Sequence, residues 1–115
     1  MPFVEIHIGK PLTAQEKETV MRSIAEQMPI LPGKTAQNTM IEIAAADRDM
    51  YMGLEKKPLI FGDIRVFGPA PTEAKDQFIA ALSATFEKLL GIPQDKQYYN
   101  IIEMPEWGSR GHLHS

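Results

Sequence analysis

Proline at position 2 is the residue of this chain whose type and place could do chemistry. It directly follows the initiator Met1 and directly precedes Phe3-Val4-Glu5-Ile6-His7-Ile8, which alternates like a half-buried strand. Methionine before a small second residue is normally removed during synthesis, which would leave Pro2 as a secondary amine on a residue whose φ the ring already fixes. A terminal proline has a lone pair that a prolyl amide lacks. Burial and a nearby cation both disfavour a protonated amine. An α-amino group titrates ordinarily at about 7.7 to 8.0, so a modest shift makes it a neutral base near pH 7. With Met1 retained the Pro2 nitrogen is an amide and no base, so this chemistry requires the methionine to be gone. The plain alternative is that proline is simply a common second residue. Other chemistries are poorly supplied. The chain has no cysteine, which excludes disulfides, thiolate metal sites and thiol nucleophiles. Of its three histidines, His7 lies on the strand, while His112 and His114 fall in a terminal segment read as mobile. No metal and no cofactor are expected, and the seven methionines suit core and interface packing.

The elements that must hold Pro2 follow from periodicity. Gly9-Lys10-Pro11-Leu12 ends the first strand, and Thr13-Ala14-Gln15-Glu16 has the spacing of a capping box, which places a helix start at about Ala14. Val20, Met21, Ile24, Ala25 and Met28 then form one apolar stripe. Pro29 and Pro32-Gly33 stop the helix, and Thr39 to Ala45 reads as a second strand, giving a β-α-β connection with parallel strands. Ala46 to Pro58 reads as a polar loop in which Met50-Tyr51-Met52 could add a short edge strand. Leu59 to Phe67 is strand-like. Gly68-Pro69-Ala70-Pro71 is a turn, and Thr72 is read as the cap of a helix to about Leu90, with Phe78, Leu82, Thr85, Phe86 and Leu89 on one face. Gly91 and Pro93 supply the stop, and Tyr98 to Glu103 makes a fourth strand.

Strand, helix, strand thus occurs twice, over about residues 2–45 and 59–104, within one expected domain of 115 residues that carries a C-terminal extension. The expected fold class is α+β: a four-stranded mixed sheet with two helices on one face. Apolar residues on both phases of the later strands, as in Leu59-Ile60-Phe61 and Ile101-Ile102, leave a second face for another subunit, and a closed homo-oligomer satisfies it. The net charge of -3 comes from interspersed acids and bases, so neither nucleic acid nor a membrane surface is an expected partner. No apolar run approaches the roughly 20 residues that span a bilayer, and the N-terminus lacks the regions of a secretory signal, so a cytoplasmic location is expected.

A proline-initiated, doubled β-α-β unit resembles the tautomerase superfamily. The pattern is most similar to macrophage migration inhibitory factor and phenylpyruvate tautomerases, with some features of the oxalocrotonate tautomerases. The matching residues are Pro2; Gly33-Lys34 after the first helix; and Asp95-Lys96-Gln97-Tyr98-Tyr99-Asn100, similar to that family's Asp-Arg-Val-Tyr-Ile-Asn. The resemblance implies a homotrimer with sites at subunit interfaces, acting without cofactor on a small carboxylate, a 2-oxo acid or its enol. It assigns Pro2 as proton shuttle, Lys34 as carboxylate anchor, the backbone amide of Phe67 as a donor to substrate, and Tyr98 and Asn100 as a wall from the neighbouring subunit. Each has a plain alternative: a solvated lysine at 34, and core or interface packing at 98 and 100. Ile6-His7-Ile8 and Gln15-Glu16-Lys17-Glu18 look oxalocrotonate-like, yet Leu12 stands where that group has a substrate-binding arginine, with Lys10 nearby in sequence. Leu59-Ile60-Phe61-Gly62 replaces the migration factor's Cys-x-x-Cys, so a thiol oxidoreductase activity does not carry over. Asn38 replaces an aromatic residue and should alter the pocket lining.

Arg65 stands in place of a family histidine, two residues before Phe67 and on the same strand phase. It suits a bidentate clamp on a carboxylate, as in the related malonate semialdehyde decarboxylases and cis-chloroacrylate dehalogenases, whose tail Glu103-Met104-Pro105-Glu106-Trp107-Gly108 loosely resembles. Its alternative is an interface salt bridge to Asp63 or Glu42. Trp107 is placed against the active site by the resemblance, against a patch of core by ordinary behaviour. The leading expectation is a tautomerase with Pro2 as general base. The alternatives are hydration, dehalogenation or decarboxylation of a three-carbon acid, with protonated Pro2 as acid and Arg65 as anchor, or a trimer that binds or signals without turnover.

Overall fold

The computed structural model describes residues 1–45 and 49–115. Its elements are β1 (Phe3–Ile8), α1 (Ala14–Gln27), β2 (Met40–Ala44), β3 (Tyr51–Met52), β4 (Glu55–Lys56), β5 (Ile60–Phe67), α2 (Thr72–Leu90), β6 (Gln97–Met104), β7 (Trp107–Ser109) and β8 (His112–His114). The main sheet has the order β2-β1-β5-β6. β1 pairs with β2 in parallel, β5 with β6 in parallel, and β1 with β5 antiparallel, so the two β-α-β units meet at the middle of the sheet. The α+β class with a mixed four-stranded sheet is as the sequence leads one to expect.

The period-two alternation of β1 and β5 divides the sheet into two chemically different faces. Val4, Ile6, Ile8, Ile60, Ile64 and Val66 are fully buried in one core with Val20, Ile24 and Met28 from the α1 side and Phe78, Leu82 and Phe86 from α2. Each such side chain contributes about 1.5 to 3 kcal/mol of transfer free energy. Gly62, between Ile6 and Tyr99 in register, is required there: a Cβ would stand 2.5 Å from Tyr99 Cδ1. On the opposite face the rows read Met40–Phe3–Arg65–Ile102, Glu42–Glu5–Asp63–Asn100 and Ala44–His7–Phe61–Tyr98. No helix covers that face, and Met40, Phe61, Tyr98 and Ile102 are exposed on it.

α1 begins as its sequence dictates: Glu16 N–H donates to Thr13 Oγ1 at 3.1 Å and Thr13 N–H to Glu16 Oε1 at 2.8 Å. α2 departs from expectation at both ends. Pro71, not Thr72, is its cap residue and has no capping side chain; instead Glu103 Oε2 on β6 accepts the Ala70 N–H at 2.6 Å and pairs with Lys75 at 3.3 Å. Leu90 rather than Leu89 turns inward before Gly91, whose φ of 70° ends the helix. Met50–Met52 does not extend the main sheet; Tyr51–Met52 pairs with Glu55–Lys56 as a separate hairpin, while residues 46–48 of the expected loop lie outside the described residues. His112 and His114 are not in an unstructured tail. They form β8, paired antiparallel with β7 around the Arg110-Gly111 turn, where both residues have positive φ. Among the described residues no helix is long and apolar enough to cross a membrane.

Candidate active site

β1 delivers Pro2 to the end of the sheet, where the Pro2 carbonyl accepts the Met40 N–H at 3.0 Å and the residue is buried. Beside it lies a cavity of about 600 Å³ walled by Met1, Phe3, Met40, Met104 and Trp107, with Asn38, Arg65 and Ser109 as its polar side chains. The walls come from four regions: the first strand, the loop before β2, the β5–β6 edge, and the C-terminal hairpin. Arg65 enters from β5 in register with Phe3. Its side chain is 47% exposed and, among the described residues, pairs with Asp63 at 3.4 Å, one of the acids expected beside it.

Lys34 follows Gly33, whose φ of 80° turns the chain after α1. Its Nζ donates to the Phe67 carbonyl at 2.8 Å, which fixes the ammonium near the N-terminus and leaves two protons for other acceptors. The terminal amine of Met1 consequently lies below the ordinary α-amino value, first because burial penalises its charged form and second because the Lys34 charge repels it. Pro2, the next residue inward, is buried where Met1 is exposed.

Pro2, Arg65 and Trp107 therefore share one cavity, whereas Lys34 and Phe67, bonded to each other, do not line it. Tyr98 and Asn100 do not join them within a protomer. Tyr98 pairs with Phe61, four residues along β5 from Arg65, a separation of about 13 Å. Its hydroxyl lies 3.3 Å from the Asp95 carbonyl and 3.5 Å from Met52 Sδ. Asn100 Oδ1 accepts the Ile64 N–H at 3.3 Å. Sequence reasoning missed Met40 and Ser109 as wall residues. Ser109 arrives only because β7–β8 folds back: the His114 ring packs tilted on Phe67 with centroids 6.5 Å apart, and His114 Nε2 bonds the Ser109 carbonyl at 3.2 Å. The one available signal was Arg110-Gly111 between short segments able to form strands.

No protein-family model and no curated sequence matches the chain. Among solved structures it is similar to Leishmania major MIF2, with a TM-score of 0.89 at 16% identity over 99% of this chain and 97% of that one. The chain has the fold that MIF and 4-OT structures share. A second similar structure is Pt0534 inactivated by 2-oxo-3-pentynoate, with a TM-score of 0.85 at 18% identity over 95% and 93% of the two chains. A third is a fused 4-OT solved as an asymmetric trimer, with a TM-score of 0.83 at 17% identity over 96% and 94%. The first strand begins at the cavity just described, and the antiparallel β5 brings Arg65 to the same place in register with Phe3.

Proposed function

We propose that this chain, freed of Met1, is a cofactor-independent keto–enol tautomerase of small 2-oxo acids, with Pro2 as general base. The observation that carries the reading is the placement of the N-terminus: a buried Pro2 at the wall of an apolar cavity, beside a lysine whose charge and whose surroundings disfavour a protonated amine. In ketonisation the Pro2 nitrogen accepts the enol hydroxyl proton as the C2 carbonyl forms, and a proton is returned to C3. Lys34 holds the carboxylate and, by its field, keeps the nitrogen unprotonated. The likeness to a fold relative inactivated by 2-oxo-3-pentynoate supports a 2-oxo acid as ligand.

The same proposal includes a homotrimer, supported by the uncovered sheet face and by the trimeric fold relative. In it Tyr98 and Asn100, remote from Pro2 in their own protomer, complete a neighbour's cavity, and the Phe67 amide donates to the substrate. The test is ketonisation of an enol 2-oxo acid followed by ultraviolet absorbance, with intact mass confirming loss of Met1 and Pro2→Ala as the matched control. Activity lost in Pro2→Ala is the expected result, and equal activity in both proteins refutes the assignment.

Arg65 favours a second reading. A guanidinium held by one long contact at the cavity wall suits anchoring a three-carbon acid for hydration, dehalogenation or decarboxylation, with a protonated Pro2 as general acid. The pH profile separates the two: a base loses activity as pH falls through its pKa, an acid as pH rises through it.

A further inference from the structure

The cavity beside Pro2 is walled by sulfur as well as by carbon. The chain has seven methionines and no cysteine, and Met40 and Met104 line the cavity together with Met1, which is gone from a processed terminus. Met40 is the most exposed of the seven, at 67%, whereas Met21, Met50 and Met104 are half-buried and Met28 is fully buried. Its place is fixed by the backbone: it opens the edge strand β2, its N–H donates to the Pro2 carbonyl at 3.0 Å, and in register it stands two strands from Arg65, across Phe3, on one face of the sheet. A thioether is soft and polarizable, and oxidation to the sulfoxide turns a flexible apolar side chain into a polar one. With no thiol in the chain to intercept an oxidant, the exposed methionines are its groups open to reversible oxidation. The cavity stays open in any assembly that binds a ligand beside Pro2, and a hydroperoxide, smaller than a 2-oxo acid, enters by the same way.

We propose that Met40 is a modification site through which a hydroperoxide closes this cavity to its ligand. The Met40 sulfur attacks one oxygen of hydrogen peroxide; the S–O bond forms as the O–O bond breaks, sulfur gives up two electrons to the peroxide, and the departing hydroxide takes the proton left on the sulfur-bound oxygen and becomes water. The product carries a hydrogen-bond acceptor on a wall where Phe3, Met104 and Trp107 offer apolar surface. A ligand whose carbon skeleton packs against the thioether has to cover that oxygen, and covering an unpaired polar group weakens binding. Methionine sulfoxide reductases, one for each epimer, return the thioether; their thiol reductant is oxidised to a disulfide and the oxygen leaves as water. Met52 is also exposed but does not line the cavity, so its oxidation leaves the site as it was. The inference rests on the tautomerase reading for the ligand that is excluded, and not for the oxidation itself.

The test exposes the Met1-free protein to graded hydrogen peroxide. Peptide mass mapping gives the order in which the methionines gain oxygen, calorimetry gives the dissociation constant of phenylpyruvate, and each protein is compared with its own untreated sample. The expected result is that Met40 is oxidised ahead of the other methionines and that its oxidation raises the dissociation constant by about 5- to 160-fold, the factor for covering one unpaired polar group. The two reductases with dithiothreitol restore the affinity. Met40→Leu keeps its own affinity through the peroxide treatment, whereas Met104→Leu loses it as the parent does. Another methionine oxidised ahead of Met40, an affinity unchanged with Met40 fully oxidised, an equal loss in Met40→Leu, or a loss that the reductases do not reverse overturns the proposal. Calorimetry needs no turnover, so the two readings fail separately. A reversible, Met40-dependent loss of binding in a protein that does not ketonise the ligand leaves the switch standing and removes the tautomerase reading; Pro2-dependent ketonisation that persists with Met40 fully oxidised does the reverse. Untreated protein that neither binds nor ketonises the ligand overturns both.

Discussion

Replacing Lys34 with methionine removes a charge while keeping a similar apolar stem, and the structure gives the expected loss in two separable parts. The Lys34 ammonium spends one proton on the Phe67 carbonyl at 2.8 Å and has two left for a substrate carboxylate. A hydrogen bond to a charged group contributes about 1.5 to 3 kcal/mol, which at 1.36 kcal/mol per decade is about a 13- to 160-fold fall in kcat/KM. The second part is a displacement of the pH profile. The Met1 amine is held below its ordinary value by burial and, secondarily, by Lys34, and the proposal has the same two causes act on the Pro2 amine once Met1 is gone. Removing the lysine raises that pKa, while burial keeps it from returning fully to the ordinary value. A base works unprotonated, so activity is lost as pH falls through the pKa, and the acid limb of Lys34→Met moves to higher pH. Enol ketonisation at constant ionic strength, from mildly acidic to mildly alkaline pH, measures both. Lys34→Arg serves as the control: it keeps the charge, so its acid limb stays near the parent's even where its fork fits the carboxylate poorly. A plateau kcat/KM for Lys34→Met within about twofold of the parent, with an unmoved acid limb, refutes the role given to Lys34.

Two further predictions concern the frame that carries the site. Gly62→Ala places a methyl carbon against the Tyr99 ring and Ile6 in the core; overpacking of this kind costs about 1 to 3 kcal/mol, read as a lowered urea midpoint, and an unchanged midpoint would mean that the ring moves aside freely. Glu103 is held below the usual carboxylate range, first by the Ala70 N–H and then by Lys75. Its contribution to stability is therefore present above the unfolded-state pKa and is lost as pH falls through the lower folded-state value. Glu103→Gln should melt below the parent at neutral pH and converge with it in acid; the same gap at both pH values would contradict the capping role.

The parts of this fold that could be read from sequence are those fixed by neighbours in the chain. The Thr13–Glu16 capping box, the alternation of β1 and the glycine stop at 91 each depend on residues within a few positions, and each is found where its pattern places it. The errors have non-local causes. Thr72 looked like a cap because it precedes a helical pattern, but the N-terminal amide at Ala70 is satisfied by a carboxylate 33 residues away, a solution that only the β6–α2 packing creates. Leu89 and Leu90 differ by one position, and the close of the core around Ile92 decides between them. The hairpin at 107–114 is short and largely polar, so its periodicity is weak, and its fold-back could not be foreseen. Pro2, Arg65 and Trp107 were recognisable as a set, whereas Ser109 was not, because its relevance follows from a fold-back with no local signature.

Residues at positions 1–3 and 107–109 bound the same cavity, and this has a consequence for the order of events during synthesis. The proposed function requires Met1 to be removed, a step that acts on the nascent chain and would release the Pro2 amine early. The hairpin wall and β5, which carries Arg65, are made later, and β1 can take its central place only when strands from well down the chain arrive to pair with it. In the interval the amine is a terminus without the cavity around it. On the tautomerase proposal the chain matures in two stages, first by cutting a bond and then by closing a fold, and the second stage supplies the surroundings that the proposed base requires.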